Sequence, residues 1–66
     1  MTSLTVTYSL TQTHHLDEYR AKHEESVTVY RNVDRFDVTA DGTLTLWFED
    51  GFRWGTNEWH RIEVSR

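Results

Sequence analysis

Four histidines and eleven carboxylates are the residues of this 66-residue chain that could hold a metal or move a proton. The histidines are His14, His15, His23 and His60. On a helix, His15 and His23 would stand two turns apart, too far to share an ion. His14 and Glu18 have i, i+4 spacing, but they are one pair where zinc takes three or four placed ligands. There is no cysteine, which excludes thiol catalysis and Cys-type zinc sites. Asp41 and Asp50 each precede a glycine and are accounted for by turns. The remaining carboxylates show no spacing that would bring two of them into one cleft with divided pKa values. A phosphate-binding loop, a dinucleotide turn and a nucleophile motif are all missing, and nothing singles out one serine. The expectation is a non-catalytic protein with no cofactor and no metal.

Contact chemistry is better represented. Three of the nine aromatic residues are tryptophans, which serve either as core or as anchors of an interface. The formal net charge of −4 disfavours nucleic-acid binding, which relies on clustered Lys and Arg. It suits a soluble protein that meets other proteins. No apolar run approaches the roughly 20 residues of a membrane helix, and the first residues lack the pattern of a secretory signal. A single cytoplasmic domain with no membrane partner is expected.

The elements that position these residues are strands. Residues 3–11 alternate, with Leu4, Val6, Tyr8 and Leu10 on one face and Ser or Thr on the other. In residues 14–25, Leu16, Tyr19 and His23 fall at helical spacing and Thr13 is placed as an N-cap, which predicts one short helix. Further strands are expected over 26–33, 35–40, 43–49, 52–55 and 59–65. The fold class is mainly β. It is a single antiparallel curled sheet or small partly closed barrel of 5–6 strands, with two Asp-Gly hairpins and the helix.

Parity fixes the hairpins. Two-residue turns at Asp41-Gly42 and Asp50-Gly51 would place the apolar residues of adjacent strands on opposite faces. Three-residue loops ending in a left-handed glycine put Phe36, Val38, Leu44, Leu46, Phe48, Phe52 and Trp54 on one face. Both glycines are then expected at positive φ. The core is completed by Leu4, Val6, Tyr8, Leu10, Leu16, Tyr19, Val27, Val29, Val33, Ile62 and Val64. The other face carries Asp37, Thr39, Thr43, Thr45, Trp47, Glu49 and Arg53. In the last strand Trp59, Arg61 and Glu63 point outward, with His60 on the inner side.

Trp47 is the outlier among polar neighbours. It is the centre of an expected partner-binding set of Trp47, Arg53, Glu49, Thr45 and Trp59. The first strand raises a second question, because residues 1–16 contain no Asp, Glu, Lys or Arg. Such a strand is either central in the sheet or an edge that pairs with a second copy, forming a homodimer through 3–11.

The segments Val33-Asp34-Arg35-Phe36-Asp37-Val38, Asp41-Gly42-Thr43-Leu44-Thr45-Leu46, Phe48-Glu49-Asp50-Gly51 and Trp59-His60-Arg61-Ile62-Glu63-Val64 cover about half the chain. Together they resemble short uncharacterised accessory proteins of actinobacterial bacteriophages. The resemblance implies a modulator or inhibitor of a bacterial host protein, acting by surface contact in the host cytoplasm. It supplies no catalytic residues. The alternative readings are a self-associating structural or assembly protein and, less favoured, a small-barrel single-strand nucleic-acid binder.

Overall fold

The alternation of Leu4, Val6 and Tyr8 becomes strand β1 (Thr2–Tyr8) in a computed structural model, which describes residues 2–9 and 16–65. It is followed by β2 (Ala21–Glu24), β3 (Val27–Val38), β4 (Leu44–Phe48), β5 (Arg53–Thr56) and β6 (Trp59–Ser65). All pairings are antiparallel, in the order β5-β4-β3-β1-β6, with β2 beside the first half of β3. The sheet is mainly β, as expected, and open: no ladder joins β5 to β6. Residues 10–15, which include Leu10, His14 and His15, lie outside the described residues.

No helix occurs among the described residues, so the short helix over 14–25 is not borne out. The helical signal is one turn long. The Asp17 carbonyl accepts N–H bonds from Arg20 and Ala21 at 3.1 and 2.9 Å, and the chain then extends. Ala21 and His23 face inward while Lys22 and Glu24 face solvent, so the same residues also satisfy a period of two. Strand wins because β3 offers a ladder. Ala21 pairs with Tyr30 and Glu24 with Val27 across the two-residue turn Glu25-Ser26. Glu25 takes φ 49° there.

Both Asp-Gly hairpins take the three-residue form. Thr39 N–H bonds the Thr43 carbonyl at 2.9 Å, and Phe48 N–H bonds the Phe52 carbonyl at 2.8 Å. Val38 pairs with Leu44, Phe36 with Leu46, and Leu46 with Trp54. Gly42 and Gly51 have φ of 87° and 93°.

The long strand β3 bends the sheet. Thr2 faces Val33 and Leu4 faces Tyr30, so β3 carries one extra residue there; Asn32 sits in this stretch at φ 57°. A second extra residue falls at Asp34, because Val33 faces Phe48 and Arg35 faces Trp47. Bulges this close together turn the strand and curl the sheet over its own core. The Asn32 side chain and carbonyl secure the bend, donating to the Tyr19 carbonyl at 2.8 Å and accepting from Glu49 N–H at 2.9 Å.

The core is Leu4, Val6, Tyr8, Ala21, Tyr30, Val33, Leu44, Leu46 and Phe48, with Leu16, Trp54, Trp59 and Ile62 packed against it. Pairing with β1 turns Thr28 and Tyr30 inward and leaves Val27 and Val29 half-buried on the opposite face, the reverse of the expected parity. Thr28 is fully buried, and its hydroxyl meets His23 Nδ1 at 3.1 Å. Tyr30 and Tyr8 join their hydroxyls inside the core. Phe36, Val38, Phe52 and Val64 share the core-facing side but stand 38–45% exposed, at the rim of the curl. Tyr19, also expected inside, is exposed beside its turn.

Both edges of β1 are occupied, by β3 and β6. The uncharged strand is central, and no free edge remains along residues 3–8 for pairing with a second copy.

Candidate functional site

Trp47 is the penultimate residue of β4, on the face turned away from the core. Its direct neighbours across the two ladders are Arg35 on β3 and Arg53 on β5. The next row is Asp37, Thr45 and Gly55. Strand pairing therefore builds a row of Arg-Trp-Arg beside a row that is small and polar. Arg35 places its guanidinium carbon 4.5 Å from the centroid of the Trp47 ring. That distance suits a cation–π contact, of order 0.5–1 kcal/mol at a solvated site. Trp47 is half-buried under this cover.

Of the sequence-predicted set, Trp47, Arg53 and Thr45 are brought together on this outer face. Glu49 is exposed just past the end of β4, where its backbone N–H is used by Asn32. Trp59 is not part of the group. Thr7 pairs with Arg61 but Tyr8 pairs with Trp59, so an extra residue at His60 interrupts β6. The bulge turns Trp59 inward, against the core, and leaves His60 exposed, which reverses the orientation expected for both. The indole of Trp59 donates to the Gly42 carbonyl at 2.8 Å. This bond ties the start of β6 to the tip of the β3–β4 hairpin across the open side of the sheet. Arg35 is the member that sequence reasoning missed. Its parity with Asp37 and Thr39 was a sufficient signal.

Elsewhere the polar groups are accounted for by structure. Asp41 accepts from Thr39 Oγ1 and from Thr43 N–H, and these bonds hold its carboxyl below the usual range. Asp50 accepts from Phe52 N–H at 3.1 Å and pairs with Arg20, which also pairs with Asp17. The Arg20 guanidinium lies 4.3 Å from the Phe52 ring centroid, pinning the second Asp-Gly turn to the Asp17 turn. His23 accepts Leu16 N–H at Nε2, 3.1 Å away, so its proton sits on Nδ1 toward Thr28. Among the described residues, no three His, Cys, Asp or Glu side chains are grouped to hold a metal ion, and no helix is long and apolar enough to cross a membrane.

The arrangement thus defines a small open β-sheet with one aromatic–cationic row on its outer face. No protein-family model, no curated protein and no solved structure matches the chain.

Proposed function

We propose that the chain is a small acidic protein-binding module whose contact residue is Trp47, flanked by Arg35, Arg53 and Thr45. The observation that carries this reading is the placement of a large aromatic ring, half-buried, on the solvent side of a sheet whose core it does not join. Trp and Arg are the side chains most enriched at binding hot spots. A ring already covered on one side by Arg35 is held in a fixed orientation, which lowers the entropy lost on docking. Phosphate recognition is less suited, since Asp37 and Glu49 border the two arginines.

On the resemblance to phage accessory proteins, the partner would be a bacterial host protein met in the cytoplasm and altered by surface contact without catalysis. Affinity capture from a bacterial lysate, run in parallel with wild type and Trp47→Ala, tests the reading. A specific partner should be kept by wild type and lost by the variant. A partner retained equally by both removes Trp47 from the account. A second reading, self-association, is favoured by a different observation, the outer edge of β6, with which no described residue pairs.

A further inference from the structure

β6 ends the sheet, and among the described residues nothing pairs with its outer edge. The phase of its hydrogen bonds is fixed by its neighbour. Tyr8 N–H donates to the Ser26 carbonyl at 2.7 Å, toward β3, whereas Ser9 N–H donates to the Glu58 carbonyl at 3.1 Å, toward the β6 side. Odd-numbered residues of β1 therefore address β6. Their partners are Ser65, Glu63 and Arg61. These use their backbone groups on β1, and by alternation Ile62 and Val64 present theirs to the open edge.

We infer that this edge is the interface of a symmetric homodimer in which two copies of β6 pair antiparallel about Ile62. The register is dictated by charge. With Ile62 opposite the partner's Ile62, Arg61 falls opposite the partner's Glu63, and Glu63 opposite the partner's Arg61. Four charges then alternate in sign on the outer face, at the closely spaced positions of the ladder. Sliding the strands by two residues in either direction sets Arg61 against the partner's Arg61, or Glu63 against the partner's Glu63. Sliding by one exchanges the faces. Of these registers only the one about Ile62 is free of like-charge contact, and it sets Arg61, Ile62 and Glu63, the regular stretch beyond the bulge at His60, against the same residues of the partner.

The side chains are in place for it. Arg61 and Glu63 are 70% and 59% exposed and bridge each other within the strand at 3.0 Å, a contact of little worth at such exposure that exchanges for the cross-strand pairs. On the core side, Ile62 is half-buried and Val64 is 45% exposed, so the rim they form is extended by the second copy.

The second half of β3 also has an open edge, with Phe36 and Val38 exposed beside it. Pairing Arg35 there with the partner's Asp37 would drive the partner's 39–43 turn into the place of Thr2, which already holds Val33. On β6 the register about Ile62 sets Arg61–Glu63 against the partner's Arg61–Glu63, at ladder positions that no other described strand holds. This inference is independent of the Trp47 reading, because Trp47 lies on β4.

Sedimentation equilibrium over a concentration series tests it, with wild type, Arg61→Glu, Glu63→Arg and the double exchange Arg61→Glu/Glu63→Arg. Wild type should dimerise. Each single exchange places like charges face to face and should weaken the dimer at least about tenfold. The double exchange should restore it, with circular dichroism unchanged throughout. Val64→Pro, which deletes one N–H at the free edge and none toward β1, should give a monomer. Wild type that stays monomeric throughout overturns the inference. So does a dimer indifferent to the single exchanges, or one that responds to Trp47→Ala instead.

Discussion

Tyr30 carries its hydroxyl into the centre of the curled sheet, where the Tyr8 hydroxyl meets it and the Trp54 indole lies beside it. Burial, with the Tyr8 contact added, pushes its ionisation well above the usual tyrosine value of 10.0. The phenol therefore favours the folded state only while protonated. The sign is that of a group whose folded pKa is raised: the contribution is complete below pH 10 and is lost as pH rises beyond it. We predict that the urea midpoint of wild type falls above about pH 10, and that Tyr30→Phe flattens this fall. Equal alkaline slopes in the two proteins would contradict the burial argument. At the same scale, Gly42 and Gly51 differ from Gly55. A Cβ at Gly42 or Gly51 would meet nothing within 4 Å, so the cost of Ala there is backbone strain alone. We predict a loss of about 1–2 kcal/mol for Gly42→Ala and for Gly51→Ala, measured by urea denaturation. Gly55→Ala should be close to neutral, since its backbone is unstrained and the nearest atom, Thr43 Cγ2, is at 3.8 Å. A larger loss at Gly55 than at Gly42 would sink the turn assignment.

Among the elements, the hairpins were legible because two constraints met: Asp-Gly at each turn and apolar parity on either side. The β2–β3 hairpin lacked both. Its turn is Glu25-Ser26, with no glycine, and Leu16, Tyr19 and His23 fit a helix as well as Ala21 and His23 fit a strand. Local pattern cannot decide so short a segment; the ladder with β3 does. The bulges were hidden for a related reason: Asp34 and His60 mark no extra position by type, and Asn32, though of a type that tolerates positive φ, does not by itself signal an added residue. Parity carried across the unseen bulge at His60 gave Trp59 and His60 the wrong faces. Parity carried along β4, which is uninterrupted, placed Trp47 correctly. Part of the candidate site was thus readable, because Trp47 contrasts with Thr45 and Arg53 on a regular strand. Arg35 was overlooked although it stands one pairing away. The bend itself should be sensitive at Asn32, which combines a left-handed backbone with two hydrogen bonds. Asn32→Val should lower the melting temperature clearly more than Asn32→Gly, which keeps the backbone freedom and loses only the side-chain bond to Tyr19.

For the whole molecule, side-chain cross-links among the described residues hold the open curl. Trp59 bridges to Gly42, and Arg20 bridges the Asp17 turn to the Asp50 turn. The apolar rim of Phe36, Val38 and Val64 follows from the same openness, because β3 runs on beyond the end of β1. The sheet order has a temporal consequence. β1 is made before one of its two partners, β6, by the whole length of β2 to β5. Until β6 arrives, the uncharged strand has a bare edge and the β3–β4 tip has no indole to bind. The sheet is therefore exposed to mispairing while β2 to β5 are made, and it waits on a pairing between strands far apart in sequence, the kind of contact that slows folding.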